Sequence, residues 1–191
     1  MDLQKLNVKL FVKQPNEVPL VDFIEIFHGW IQATDGVYHD VADYSHMKAG
    51  PGIVLVANDA NVSIDESGDR RGLLFNQKSR LGGSNRDKLR KVFEAAIENC
   101  RRLEAEPALR GKLHFAGNEV LLSVNDRLLG ASSPNAFETV KSDVESFAKR
   151  LFGTDAVTLD SDGDPRRRLS FRVQTSAPVD LHSLWNNLQR N

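Results

Sequence analysis

The feature that most constrains the fold is the hydrophobic pattern, which changes along the chain between a strand-like period and a helix-like period. Runs with period two, such as 6–12, predict strands, and runs with apolar residues at i, i+3, i+4 and i+7 predict amphipathic helices. Several predicted strands come in pairs around turn residues, as in 53–57 and 62–64 around Asn58-Asp59. Strands joined by short turns pair antiparallel, so we expect an α+β fold with a mainly antiparallel sheet built from hairpins.

Three to four amphipathic helices are predicted to cover one face of this sheet. They fall at about 20–32, between Ser84 and Pro107, from 134 to about 151, and from about 181 to 188. The second is the clearest, because Ser84 followed by Asp87 is typical of a capping box. Its apolar face includes Cys100, so we expect a buried structural thiol and not a nucleophile.

After the opening strand, the order helix–strand–strand occurs three times. Asn58-Asp59 and Asn125-Asp126 occupy matching places beside the apolar runs 53–56 and 120–122. This order is compatible with a diverged internal repeat, although such dipeptides also occur in unrelated hairpins. The length of 191 residues favours one globular domain, 1–191.

Composition indicates an ordinary globular protein of the cytoplasm. The chain is 40% hydrophobic and 27% charged, and its single cysteine allows neither an internal disulfide nor a cysteine-based zinc site. No apolar run approaches the length of a membrane span, and the first residues lack the features of a signal peptide. We therefore expect a cytoplasmic location and no membrane partner.

The stretch 28–52 holds the candidates for acid–base chemistry. It contains three of the five histidines, and the weak catalytic candidates are His39, Asp43 and His46. Their spacing matches no established ligand motif, so we predict no metal and no cofactor. His28 lies at the edge of the apolar face of its helix, where a hydrogen-bonded core histidine is the simpler interpretation.

Charge is distributed unevenly, although the net charge is only −1. Residues 1–69 hold 4 Lys/Arg and 11 Asp/Glu, whereas residues 70–91 hold 8 Lys/Arg and a single acidic residue, Asp87. We call 70–91 the basic segment. It is the strongest indication of a binding role, because clustered positive charge attracts anionic ligands and acidic surfaces.

Within the basic segment, two glycines lead into the start of a helix. Backbone N–H groups at a helix start can hold an anion, and flanking cations add charge. The predicted ligand-binding residues are therefore Lys78, Arg80, Gly82, Gly83, Ser84 and Arg86. Alternatively, the glycines only allow a turn, Ser84 only caps the helix, and the basic residues pair with the acidic N-terminal third or across an oligomer interface.

The leading hypothesis is a non-enzymatic intracellular binding or interaction protein. Its basic segment would face an anionic small molecule or an acidic protein partner, and a homodimer is one expected arrangement. The alternative is a small enzyme acting on a phosphorylated or carboxylated metabolite, with acid–base residues in 28–46. A nucleic-acid partner is disfavoured, because the net charge is near zero and only 7% of residues are aromatic. The enzyme hypothesis predicts that 39–46 and 82–84 line one pocket. The binding hypothesis predicts that these two regions lie apart.

Overall fold

The computed structural model describes residues 2–125, 134–161 and 168–190. Over these residues the chain forms an eight-stranded antiparallel sheet and four α-helices, which confirms the predicted α+β class. The strands are β1 Leu6–Val12, β2 Tyr38–Tyr44, β3 Gly52–Ala57, β4 Ala60–Asp65, β5 Gly72–Gln77, β6 Phe115–Val124, β7 Val157–Ser161 and β8 Leu169–Thr175. The helices are α1 Asp22–Ala33, α2 Asn85–Ala105, α3 Pro134–Phe152 and α4 Leu181–Gln189.

The strand order across the sheet is β2-β3-β4-β5-β1-β6-β8-β7, and every neighbouring pair is antiparallel. The predicted hairpin of β3 and β4 is confirmed, with Asn58-Asp59 at its turn. The opening strand β1 lies in the interior, between β5 and β6, so the first residues of the chain join the two halves of the sheet. Among the described helices none is both long and apolar enough to cross a membrane.

The helices pack on one face of the sheet and enclose one hydrophobic cluster. Helix α1 contacts β2 and β3, α2 contacts β1 and β5, α3 contacts β7 and β8, and α4 contacts β6. Alternate residues of β1, namely Leu6, Val8, Leu10 and Val12, belong to this cluster together with the apolar face of α2. Cys100 is fully buried there, as its position on the helical period predicts.

Hydrophobic periodicity in the sequence did not predict one of the strands. The sequence interpretation treats 33–52 as polar connection, but Tyr38–Tyr44 forms β2 at one end of the sheet. The alternation is obscured for two physical reasons. An edge strand has less surface to bury, and the register against β3 shifts between Tyr38 and Asp40, which places two residues against one.

The proposed repeat is only partly described. Strand β6 begins at Phe115, the last residue of the predicted run 113–115, and includes the predicted run 120–124; it pairs with β1 on one side and β8 on the other. The return arm predicted at 127–129, like Asp126 of the second turn dipeptide, lies outside the described residues. The repeat therefore stays a hypothesis.

Candidate functional site

The three catalytic candidates lie on or just after β2, and all are exposed. The carboxylate of Asp43 accepts a hydrogen bond of 2.8 Å from the backbone N–H of Ser45. Hydrogen bonds from the Ser45 side chain and backbone lower the pKa of Asp43, so this group is poorly suited to hold a proton near neutral pH. The ring of His46 stands 6.4 Å from that of Tyr44 and lies in solvent.

The strand geometry also separates the acidic side chains of this stretch. Asp40 pairs with Val56 and Asp43 with Ile53, so the two carboxylates point to opposite faces of the sheet. Across the described ranges, no three His, Cys, Asp or Glu side chains converge closely enough to hold a metal ion. The two aspartates therefore do not converge, whereas His46 lies close enough to Asp43 for its charge to contribute, after the hydrogen bonds from Ser45, to the lowered pKa of that carboxylate.

Several basic residues of the basic segment form ion pairs with acidic residues of the same chain. Arg70 forms a two-pronged pair with Glu119, at 2.6 and 2.9 Å. Arg71 pairs with Glu66 at 2.6 Å, and the buried Lys88 pairs with Asp2. Two of these three acidic partners belong to the acidic N-terminal third, so the alternative of internal pairing applies to this part of the segment.

The predicted residues that precede α2 have different surroundings. Lys78 donates its side-chain N–H to the carbonyl of Ala57, beside the β3–β4 turn. Arg80 is exposed, and its charge contributes to lowering the pKa of Asp2, after Lys88 and Gln4. Gly82 is exposed and has no atom within 4 Å of where a Cβ would lie.

The start of α2 is closed by its own capping box. The hydroxyl of Ser84 accepts from the backbone N–H of Asp87, and the Asp87 carboxylate accepts from the backbone N–H of Ser84 at 2.9 Å. These hydrogen bonds lower the pKa of Asp87, with the charge of Arg86 also contributing. Gly83 has φ +93, and a Cβ there would lie 3.0 Å from Asp87 Oδ2. A carboxylate of the chain therefore already stands at this helix start.

Positive charge also gathers beside this helix start, in a cleft between α2, α3 and α4. We call it the arginine cleft. Its volume is about 410 Å³, and its walls are Ser84, Arg86, Asp87, Arg90, Phe147, Arg150, Leu151, Asn187, Leu188 and Arg190. Four of these ten residues are arginines, and one is acidic.

The four arginines reach the cleft from three elements. Arg86 and Arg90 are four residues apart and so share one face of α2, Arg150 lies in the last turn of α3, and Arg190 follows α4. Arg90 pairs with Glu94 at 2.9 Å. Within the described part of the chain, Arg86, Arg150 and Arg190 form no salt bridge. Like charges brought together in this way repel one another, and a bound anion would relieve that repulsion.

Of these four arginines, only Arg86 is among the ligand-binding residues predicted from the sequence. The basic segment includes Arg86 and Arg90, but Arg150 and Arg190 belong to the last 100 residues, whose charges are balanced. No local signal marks them, because only the packing of α3 and α4 against α2 brings them to the cleft.

The two predicted regions, 39–46 and 82–84, lie apart. Leu81, next to the glycines, donates its backbone N–H to the side chain of Gln4, just before β1. Strand β2 is four strand spacings from β1, or about 19 Å. Ser84 lines the arginine cleft, whereas Tyr38 lines a cleft of about 450 Å³ near Glu98, and Ser45 lines one of about 330 Å³ near Arg71. His39, Asp43 and His46 line none of these three clefts.

Comparison with known proteins finds no matching family model, no matching curated protein and no matching solved structure, so what the site can do is inferred from its own geometry.

Proposed function

We propose that the chain is a binding protein for an anionic small molecule, held in the arginine cleft. The observation that carries this proposal is the convergence of Arg86, Arg90, Arg150 and Arg190 on one cleft. Guanidinium groups present several N–H donors in a planar fork that matches phosphate and carboxylate oxygens. Two of the four arginines belong to the basic segment, and the packing of α3 and α4 brings the other two beside them.

The size of the cleft favours a small molecule over an acidic protein surface. A volume of about 410 Å³ lies within the usual range of roughly 300–1,000 Å³ for ligand pockets. Phe147, Leu151 and Leu188 supply an apolar floor, and each is no more than 8% exposed. The cleft is thus suited to an organic anion whose apolar part contacts this floor while its charged group meets the arginines.

Binding is favoured over catalysis by what lines the cleft. Asp87 is its only acidic residue, and its carboxylate is held by the capping box with a lowered pKa. His39 and His46, the histidines of the enzyme hypothesis, lie on or just after β2 and do not line the cleft. The enzyme hypothesis therefore has no group beside the anion that could exchange a proton at neutral pH.

Titration with inorganic pyrophosphate, followed by backbone amide NMR shifts, tests the proposal. We expect shifts at residues of α2, α3 and α4 that line the cleft, and weaker binding as salt rises, since salt screens exposed charges. Arg150→Gln should weaken pyrophosphate binding at least tenfold. Arg110→Gln, which removes the same charge from an exposed position that does not line the cleft, should leave binding unchanged.

Two further variants separate the cleft from the glycine loop. Gly82→Ala places a methyl group in open space, and Arg80→Gln removes a charge beside the loop. If the anion sits in the arginine cleft, both variants bind pyrophosphate normally. Loss of binding in these two, with normal binding by Arg150→Gln, would instead place the anion at Gly82, Gly83 and Ser84. Equal weakening by Arg110→Gln and Arg150→Gln would mean that only diffuse charge attracts the anion, and would overturn the proposal.

A further inference from the structure

A second cleft opens on the helix side of the sheet, over strand β4. Helix α1 packs on β2 and β3, and α2 packs on β1 and β5, whereas β4 lies between β3 and β5 in the strand order. The cleft has a volume of about 450 Å³, and its lining residues fall within 36–38, 57–62 and 95–99, with Phe75 of β5. We call it the Tyr38 cleft. It shares no lining residue with the arginine cleft.

The floor of the Tyr38 cleft is apolar, and small side chains keep it open. Val62 of β4 pairs with Phe75 of β5, and the two are 2% and 7% exposed. Ala57 and Ala60 flank the hairpin turn, and Ala95 lies on α2. Larger side chains at these three positions would occupy the space above the floor. The cleft can therefore take an apolar group of moderate size.

The charged residues that line the Tyr38 cleft are both acidic. Asp59 lies in the β3–β4 turn and Glu98 lies on α2, and both are exposed. Within the described ranges, neither carboxylate forms a salt bridge. Two carboxylates without counter-charge around one cleft favour a cation over an anion.

The basic side chains near this cleft are held by other contacts. Lys78 donates to the carbonyl of Ala57, and the guanidinium of Arg102 stacks on the ring of Trp30, 3.9 Å from its centre. Neither Lys78 nor Arg102 lines the cleft. The negative charge of the two acidic residues thus remains available to a ligand.

Tyr38 gives the cleft an aromatic wall. Its side chain is half-buried, and burial raises the pKa of the phenol, so the hydroxyl is neutral at physiological pH. The face of a neutral aromatic ring attracts cations as well as apolar groups. Beside it, Val37 is 52% exposed and adds apolar surface at the rim.

We propose that the Tyr38 cleft is a second binding site, which takes a small organic ammonium ion with an apolar body. The apolar body would contact Val62 and Phe75, and the ammonium group would lie between Asp59 and Glu98. The volume is within the usual range of roughly 300–1,000 Å³ for ligand pockets. Because the two clefts have no residue in common, this site does not depend on anion binding in the arginine cleft.

Titration of the full chain with phenethylamine, followed by backbone amide NMR shifts, tests the proposal. Phenethylamine is a cation at neutral pH, and phenylpropionate is an anion of similar shape. We expect phenethylamine at millimolar concentration to shift the amides of Tyr38, Asn58 and Asn99, all of which line the cleft. Phenylpropionate should leave these amides unchanged, because the carboxylates repel it.

Charge variants show whether the two carboxylates hold the amine. Glu98→Gln and Asp59→Asn should each weaken phenethylamine binding about threefold to fivefold, which is the effect expected on losing one exposed ion pair. Glu25→Gln removes the same charge from an exposed position on α1 that does not line the cleft, and it should bind as the wild type does.

A steric variant tests the location without changing charge. Ala95→Phe fills the cleft and should abolish the shifts, while amides far from the cleft keep their wild-type positions. Arg150→Gln, in the arginine cleft, should bind phenethylamine normally.

Three results would each overturn the proposal. The first is that phenethylamine leaves the three amides unshifted. The second is that phenylpropionate binds as tightly as the amine, and the third is that Glu98→Gln and Asp59→Asn both bind it as the wild type does.

Discussion

Lys9 of β1 and Asp65 of β4 form a buried ion pair, with Nζ and Oδ2 2.5 Å apart and side chains only 3% and 4% exposed. Lys9 also donates to the carbonyl of Ser67, and Asp65 accepts from the backbone and hydroxyl of that residue. Burial lowers the pKa of Lys9, and the hydrogen bond and charge of Asp65 oppose this effect. The aliphatic part of the Lys9 side chain packs over Gly72, where an added Cβ would lie 2.9 Å from the Cε of Lys9.

Asp65→Ala should be strongly destabilising, because it leaves the ammonium group of Lys9 buried without its counter-charge. Removal of one partner of such a pair costs about 3–5 kcal/mol of unfolding free energy. The double variant Lys9→Met, Asp65→Ala should lose less, since no uncompensated charge remains. Urea unfolding measures both. Additive losses in the double variant would show that the two groups do not interact.

The stability of the fold in acid should depend on Glu119. The hydrogen bond from Arg70 lowers the pKa of Glu119, so the folded protein holds the proton of this group less readily than the unfolded chain does. The contribution of Glu119 to stability is therefore complete above its ordinary pKa of 4.5 and is lost as pH falls through the folded value.

Glu119→Gln should accordingly lower stability at neutral pH and reduce its dependence on pH below 4.5. Urea midpoints measured from pH 7 downward test this, with Glu17→Gln as an exposed control for which the dependence should match the wild type. An identical acid dependence in Glu119→Gln and wild type would show that the Arg70 pair contributes nothing.

Helix α4 should depend on Leu184 for its attachment. This residue is fully buried among the helices, so Leu184→Ala should lower the unfolding free energy by about 2–4 kcal/mol. His182→Ala, on the exposed side of the same helix, should change it by less than about 0.5 kcal/mol. A melting temperature unaffected by Leu184→Ala would show that α4 is loosely attached.

Cys100 should be inert in the folded protein. It is fully buried, and burial raises the pKa of its thiol well above the usual value, so almost no thiolate forms near neutral pH. We expect a thiol reagent to label it far more slowly in native protein than in urea. Rapid stoichiometric labelling without denaturant would contradict the described position of α2.

The sequence by itself determined the elements whose signals are local. Helix α2 follows from its apolar period and from the capping pair Ser84 and Asp87, since a helix buries one stripe whatever it packs against. The β3–β4 hairpin follows from its turn dipeptide at 58–59, because a short turn brings adjacent strands together.

Only the tertiary structure decided which distant segments meet. Strand β2 carries no clear period because it borders the sheet, and β1 becomes an interior strand only when β5 and β6 pair with it. Arg150 and Arg190 join Arg86 because α3 and α4 pack against α2. Contacts of this kind depend on the burial of apolar faces across the whole chain, so the charges that come together there leave no pattern in the local sequence.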